Sequence, residues 1–257
     1  MHPINKDLRR TIVNLVYTGK GGHIPSSFSI IDILNTLYSE YIINSDPQNR
    51  EKNIFTLSKG HGACALYAIL YKYKYLKKEE IQNYLKYDST LGGHPDSTKV
   101  HGAEASTGSL GHGLSFTLGR ALASKIKKED KKYFVLVGDG ECHEGTIWEA
   151  AIVANNLKLD NLICLVDHNK SSDTICPHNS LLDQFSSFGW EVQEADGHNE
   201  ISIKESIDNC LQSNSDKPKC IIFNTIKGKG IAFMEGHGPW HYKIPNDDEY
   251  RRIMEEL

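Results

Sequence analysis

The chain has 257 residues, 39% hydrophobic and 24% charged, with a formal net charge of -4. That length suits one large α/β domain or two small ones, with enough chain to bury a sizeable core. The acidic balance argues against bulk binding to nucleic acid or anionic membrane, no apolar run approaches the ~20 residues of a membrane helix, and Met1-His2-Pro3-Ile4-Asn5-Lys6 lacks the apolar stretch of a secretory signal.

Leu8, Ile12, Leu15 and Val16 recur at helical spacing, which predicts a helix over residues 7–18. Gly19-Lys20-Gly21-Gly22 stops it. His23-Ile24-Pro25-Ser26-Ser27 reads as a loop. Ser29 is the candidate cap of the next helix, with Ile30, Ile33, Leu34, Leu37 and Tyr41 as its apolar stripe. The polar stretch 44–53, with Pro47, is a connection. Residues 54–57 predict a short strand, and Ser58-Lys59-Gly60-His61-Gly62 a glycine-rich turn into a helix carrying Leu66, Ile69 and Leu70. Lys72, Lys74, Lys77 and Lys78 read as a solvated helix end rather than a partner surface. A further short helix over 78–85 precedes the loop Leu91-Gly92-Gly93-His94-Pro95. Residues 107–113 then open a long helix with Leu114, Leu118, Ala121 and Leu122.

The next segment carries the chemistry. Val135-Leu136-Val137 is a buried strand that breaks at Gly138-Asp139-Gly140. The chain re-enters a helix near Glu144 and returns as a second strand over 162–166, ending at Asp167-His168-Asn169. About thirty residues separate Asp139 from Asn169, the length of one βαβ unit. In a parallel sheet the two strand ends share one edge. A carboxylate and a carboxamide brought together there make a site for a hard cation such as Mg²⁺, with a diphosphate supplying further oxygens. Glycine lets backbone N–H groups approach an anion, and the helix N-terminus favours it. The dinucleotide fingerprint is excluded, because Glu141, Cys142 and His143 follow the turn without its third glycine.

After Asn169 the pattern loosens over 170–180. A short helix over 181–188, a strand over 190–193, and a helix started by Asp196-Gly197-His198-Asn199 follow. Residues 219–225 read as the last strand, 228–241 as a long loop rich in Gly and His, and 247–257 as a terminal helix. The alternation from 107 to 225 implies a parallel β-sheet flanked by helices on both faces. With no linker or repeat, residues 1–257 read as a single domain. The six cysteines show no C-x-x-C spacing, so neither a zinc knuckle nor a redox motif is indicated. Cys164, within a strand pattern, reads as an inert core thiol, and the chain as a reduced, cytoplasmic protein.

Gly-Asp-Gly, about thirty residues, then Asn, resembles the thiamine diphosphate motif. The wider sequence resembles the transketolase family, and more narrowly its split form, in which the diphosphate-binding domain is a separate chain. The markers are Gly22-His23, Leu57 to Gly62, Gly93-His94-Pro95, Thr107 to Gly113, Gly138 to Gly145, Asp167 to Asn169, Asp196-Gly197-His198, Lys227 to Gly230 and Trp240-His241, in the family's order throughout. The resemblance implies the diphosphate-binding (PP) type of thiamine diphosphate fold. It implies that Asp139 and Asn169 ligate Mg²⁺ or Ca²⁺ by side-chain oxygen, with the Ser171 carbonyl as third ligand. Gly138, Asp139 and Gly140 would hold the diphosphate, and Gly108, Ser109 and Leu110 would lie along the two rings of the cofactor. His23, His61, His94 and His241 would be the catalytic walls of the channel, His61 and His241 also touching the cofactor. Glu144, counted with the cofactor-binding residues, and Glu149 resemble dimer-interface carboxylates. His112 stands behind the walls, His198 reads as a turn residue, and His101 and His237 receive no role. The chain departs from the family at Ile24-Pro25-Ser26, where Gly-Gly or Pro-Gly is usual, and at Tyr242, where a glycine is usual.

The activity implied is transfer of a two-carbon ketol unit from a ketose phosphate to an aldose phosphate, a step of carbohydrate metabolism of the pentose phosphate kind. The histidines would serve as acid/base groups and as donors to an alkoxide. The metal anchors the diphosphate and does not activate a water. In the family a glutamate from a pyrimidine-binding domain activates the cofactor, and 257 residues leave no room for that domain. A separate pyrimidine-binding partner chain is therefore expected, in an α₂β₂ assembly with the cofactor at the interface. Two other readings stand beside this one. One is the equivalent subunit of another thiamine enzyme, a 2-oxo acid dehydrogenase or a transketolase-like enzyme on an unusual sugar. The other is a non-catalytic scaffold. Lys59-Gly60-His61 and Gly93-His94 favour the sugar enzymes, and the intact Asp139, Asn169 and histidine set argues against the scaffold.

Overall fold

The computed structural model describes residues 3–43, 53–236 and 238–257. The connection expected at 44–53 falls almost wholly outside the described residues, as does His237. The described strands are β1 (Ile54–Leu57), β2 (Tyr133–Gly138), β3 (Leu162–His168), β4 (Glu191–Asp196) and β5 (Lys219–Asn224). They form one sheet in the order β1-β2-β3-β5-β4, every pairing parallel. β2 and β3 are buried along nearly their whole length because helices cover both faces, which is why they read as continuous apolar runs. β4 pairs only with β5 at the sheet edge and is mostly half-buried or exposed, so its Glu191-Val192-Gln193-Glu194 pattern gave a weak strand signal, shifted from the expected 190–193.

The helices, in order, are α1 (Pro3–Gly19), α2 (Ile24–Leu37), α3 (Ala63–Lys72), α4 (Lys78–Gln82), α5 (His112–Lys127), α6 (Gly145–Asn156), α7 (Leu181–Ser187), α8 (Glu200–Gln212) and α9 (Asp247–Glu256). Alternate residues of each strand feed two cores. Phe134, Leu136, Leu165 and Phe223 pack with Ile12 of α1, Phe28 of α2, Ile69 of α3 and Ile207 of α8. Val135, Val137, Val166 and Ile222 pack with Leu114 of α5, Ile147 of α6 and Phe185 of α7.

Two expectations in the first forty residues are corrected. Helix α2 begins at Ile24, so 23–27 is not a loop. Pro25 falls in the first helical turn, where its missing N–H costs nothing and its fixed φ suits a helix. Ser29 is therefore inside the helix rather than capping it; its hydroxyl donates to Asp167 Oδ2 at 2.7 Å, with Ser26 O also within 3.0 Å. All 14 residues of α2 are buried, so the helix has no solvent face and its apolar stripe is only part of what it packs. The short helix expected over 78–85 ends at Gln82, followed by a turn with Leu85 at φ 56°. Lys72 is not fully solvated either: its ammonium reaches Asn35 Oδ1 at 2.5 Å. Cys164 is buried as expected, and all six cysteines are free, with Cys176 alone exposed. Among the described residues no helix is long and apolar enough to cross a membrane.

Candidate active site

Because the strands are parallel, their carboxyl ends meet along one edge of the sheet, where open α/β sheets bind ligands. Ser58 and Lys59 follow β1, Asp139 follows β2, Asn169 follows β3 and Lys227 follows β5. A cavity of about 440 Å³ opens among them.

Its floor is the Asp139 and Asn169 pair. Register places Gly138 opposite Asp167, and the Asp139 N–H donates to Asp167 O at 3.1 Å, which sets the two strand ends side by side. The Ser171 N–H then donates to both site oxygens, Asn169 Oδ1 at 2.9 Å and Asp139 Oδ2 at 3.2 Å. Asp139 Oδ1 accepts from the Gly140 N–H at 2.7 Å. Burial, and then the charge of Asp167, push the Asp139 carboxyl above its ordinary pKa. A cation at this point would relieve both effects.

Asp167 is the hidden organiser. It is fully buried and accepts from Lys59 Nζ at 2.5 Å, Ser29 Oγ at 2.7 Å, Thr225 Oγ1 and Asn169 Nδ2 at 2.8 Å. Burial alone would raise its pKa. The Lys59 ammonium and the hydrogen bonds from Lys59, Thr225 and Ser29 outweigh that and hold it below the usual carboxylate range. A carboxylate only accepts, so it requires the NH₂ of Asn169 and turns the amide oxygen toward Ser171 and Asp139. Glu141 does similar work for the loops. It is buried and accepts from Ser58 Oγ, Gly111 N at 2.9 Å and Gly138 N at 3.1 Å, joining the turns after β1 and β2 to the start of α5. Gly60 and Gly108 make that junction possible. A Cβ on Gly60 would lie 2.8 Å from Gly108 N, so the two turns cross backbone to backbone.

The walls are histidines. His23 and His61 rings lie 5.4 Å apart, His23 and His241 5.2 Å, and His61 and His241 6.4 Å. His23 Nδ1 donates to His241 O at 3.1 Å, which leaves its Nε2 as an acceptor. Burial pushes the His23 pKa down to about 4. Burial, then the Lys59 charge, push His61 down to about 2. Burial and Lys227 lower His241 as well. His94 faces the same cavity and lies against Gly108, where a Cβ would come within 3.1 Å of its ring. The structure thus brings together His23, His61, His94, His241, Gly108, Leu110, Gly138, Asp139, Gly140, Asn169 and Ser171, all expected from sequence.

Glu144, Ser109 and His112 do not line the cavity. Glu144 is exposed at the position before α6. Glu149 is exposed one turn further along α6. Ser109 is exposed and sits 3.3 Å from His112 Nδ1, which also approaches the Leu110 carbonyl at 3.1 Å. Tyr242 is exposed and tilts against His23, with ring centroids 4.8 Å apart.

Sequence reasoning assigned no role to Lys59, Lys227, Asp167, Glu141 or Ser172. Lys227 is nearly buried, its ammonium 2.5 Å from Ser171 Oγ and 2.7 Å from His241 Nδ1. The available signal was position: each of these residues lies within three residues of a strand's carboxyl end or of the Asn169 turn.

The residues present fit a diphosphate held with a divalent cation. Two ammonium groups, Lys59 and Lys227, face the floor. Ser172 Oγ lines the cavity and is buried without a hydrogen-bond partner among the described residues. A Cβ on Gly140 would meet nothing nearer than Ser172 Cβ at 3.6 Å, so the space over the turn is free for a ligand. Among the described residues no cluster of three His, Cys, Asp or Glu forms a cation cage. The donor set is one carboxylate, one amide and backbone, which suits a hard cation that draws its remaining oxygens from a phosphate group.

Residues 3–257 match the family model described as Transketolase, thiamine diphosphate binding domain. The chain is 40% identical over 262 residues to one subunit of the apulose-4-phosphate transketolase of Actinobacillus succinogenes, covering 98% of this chain and 94% of that one. It is 36% identical over 244 residues to one subunit of the 6-deoxy-6-sulfo-D-fructose transketolase of a Clostridium species, covering 92% and 88%. The solved structure of a Campylobacter jejuni transketolase superposes with a TM-score of 0.91 at 27% identity, covering 100% of this chain and 43% of that one. The chain therefore spans most of the subunit relatives but less than half of that longer transketolase.

Proposed function

The chain belongs to the transketolase family, as its thiamine diphosphate-binding domain, and from that premise we propose that it is the diphosphate-binding subunit of a two-chain transketolase. It is one domain and acts with a separate pyrimidine-binding chain as α₂β₂. The observation that carries the reading is the convergence of Asp139 and Asn169 oxygens on one Ser171 N–H, beside two lysines and an open glycine turn. Asp139, Asn169 and the Ser171 carbonyl hold Mg²⁺ or Ca²⁺. Lys59, Lys227 and Ser172 are placed to meet diphosphate oxygens.

Thiamine diphosphate, when bound, supplies an electron sink for breaking a carbon–carbon bond beside a carbonyl. The chain's residues do the rest. Burial keeps His23 and His61 neutral near pH 7; the Nε2 of His23, its N–H already given to the His241 carbonyl, is left to accept from a sugar hydroxyl, while His61 keeps one donor and one acceptor for a hydroxyl or alkoxide. His94 and His241 stand at the open side, where substrate enters. The two subunit relatives are named for apulose-4-phosphate and 6-deoxy-6-sulfo-D-fructose. Both are anionic ketoses, and we take this chain's donor to be of that class. The outer faces of α5 and α6, helices that follow the cavity-lining turns at Gly108–Leu110 and Gly138–Glu141, leave Phe116 48%, Ile152 45% and Val153 43% exposed, which supports burial against a second chain.

The test is magnesium-dependent thiamine diphosphate binding by the chain together with its partner. Asp139→Ala is expected to weaken it by ~100-fold or more, the size of losing one buried charged partner. Equal binding by wild type and variant would remove the clamp assignment. Ketol transfer is expected from the complex and not from the purified chain alone, and full turnover by the single chain would refute the two-chain reading.

A further inference from the structure

Lys227 sits in a short turn whose two flanks are tied to one buried ion pair. Arg9 in α1 is fully buried and grips Asp32 in α2 with both guanidinium nitrogens, Nη1 to Oδ1 at 2.9 Å and Nη2 to Oδ2 at 2.7 Å. Asn5 Nδ2 also donates to Asp32 Oδ1, at 2.7 Å. Nε of Arg9 donates to the Lys229 carbonyl at 2.8 Å. On the other side, His198 Nδ1 donates to Asp32 Oδ2 at 2.8 Å, and its Nε2 accepts the Ile226 N–H at 2.8 Å. The two partners fix the tautomer: the carboxylate requires a proton on Nδ1, and the backbone N–H requires a lone pair on Nε2. One ion pair thus reaches Ile226 through His198 and Lys229 through Arg9, so that it brackets Lys227 and Gly228. The Gly228 N–H is itself held by the Pro25 carbonyl at 3.0 Å.

We propose that His198 is a positioning residue for Lys227: through the Ile226 amide it sets where the lysine backbone stands, and so how closely the ammonium meets the diphosphate. The proposal rests on the reading of the cavity as a diphosphate site. A lysine ammonium ends a flexible four-carbon stem, so its placement depends on its backbone and on the few contacts at its tip. Here those contacts are Ser171 Oγ and His241 Nδ1, one on the floor and one on the wall. A buried ion pair gains little stability over apolar packing of the same volume, which makes holding a geometry the better account of this network. The Asp196-Gly197-His198 turn, which gave no functional reading in sequence, then has a task at the cavity although the His198 ring does not line it.

The experiment measures thiamine diphosphate affinity by calorimetry, with Mg²⁺, on the full chain in complex with its partner. The variants are His198→Asn, His198→Gln, Lys227→Met and the His198→Asn/Lys227→Met double. Glutamine carries an acceptor near the Nε2 position and asparagine does not. Lys227→Met and His198→Asn are each expected to weaken binding about tenfold, in the range of losing a residue that orients a ligand group. The double variant should bind no more weakly than Lys227→Met, and His198→Gln should bind close to wild type. A general loss of stability would instead multiply with the lysine loss and would not be rescued by glutamine. Wild-type affinity in His198→Asn, or multiplied losses in the double, overturns the proposal. Wild-type affinity in Lys227→Met overturns the site reading itself, and the proposal with it. Melting curves establish that each variant is folded, and His198→Leu replaces the asparagine variant in the cycle if that one is not.

Discussion

At the floor of the cavity, Asp139, Asn169, Asp167, Glu141 and Lys59 each have two or more hydrogen-bonded partners, most of them buried. At the rim, the histidines come from four separate loops and meet mainly ring against ring, with His94 and His241 exposed. The floor is fixed by the sheet: its groups are within three residues of strand ends whose register is set by backbone pairing. The rim has no strand register behind it and is tied by scattered contacts, among them His23 Nδ1 on the His241 carbonyl and Lys227 on His241 Nδ1. On the reading proposed above, such a floor holds an anionic tail, while the rim leaves His94 and His241 exposed. On the two-chain reading proposed above, water exclusion and the final placement of the histidines fall to the second chain.

The comparison can be broken most sharply at the rim. His61→Ala, assayed in the complex with the partner chain, is expected to lower kcat by about 10²–10⁴-fold, the range for removing an acid/base group. Cofactor affinity should stay within a few-fold of wild type, because the floor is intact. A parallel collapse of cofactor binding would mean that floor and rim are one unit, and the contrast between them would fail.

The floor offers the complementary test. Asp167→Asn leaves the Lys59 ammonium buried and uncompensated, and it frees the Asn169 amide to turn. A loss of about 3–5 kcal/mol in urea unfolding is expected, the usual size for breaking a buried ion pair from one side. Lys59→Met combined with Asp167→Asn removes the stranded charge and should recover much of that stability while diphosphate affinity stays low. If the double variant is as unstable as the single, Lys59 is solvated in ways the burial of this pair does not suggest.

The difference between floor and rim also explains what was legible in the sequence. The strand and turn signals at Gly138-Asp139-Gly140 and the spacing to Asn169 were local, and the parallel sheet followed from the alternation, so the meeting of Asp139 and Asn169 at one sheet edge could be derived from the chain alone. Asp167 was in plain view beside Asn169, yet nothing in its neighbours says that it is buried. Its partners Ser29 and Lys59 lie 138 and 108 residues away, and only the fold brings them in. Ser29 was misread for the same reason: a serine near a helix start usually caps, and the tertiary demand of Asp167 placed it inside α2 instead. Glu144 was carried in by resemblance and lies outside the cavity, because the turn after Gly140 is a short 3₁₀ segment that buries Glu141 and leaves Glu144 facing solvent. His198 was correctly read as belonging to a turn, but its partners Asp32 and Ile226 are distant in sequence and could not be seen.

The smallest expected effect concerns how the rim stays neutral. The His23 ring has its pKa lowered from the ordinary value near 6.5 to about 4, chiefly by burial. Below pH 6.5 an unfolded chain takes up a proton that the native ring refuses. His23 therefore costs nothing above that pH and destabilises the fold progressively as pH falls from 6.5 toward 4. His61, lowered to about 2, acts in the same direction over a wider range. Replacing His23 with Asn keeps a donor near the Nδ1 position for the His241 carbonyl and removes the titration. Melting temperatures of wild type and His23→Asn, both without cofactor, should fall in parallel with pH at first and diverge below 6.5. Because the ring is only partly buried the effect is modest, and the variant should lose about 3 °C less than wild type between pH 7 and pH 5. Identical pH slopes would show that the native ring takes up its proton as readily as the unfolded chain does. The rim would then be open enough to hydrate His23 fully even before a partner arrives, a wider contrast with the floor than the structure describes.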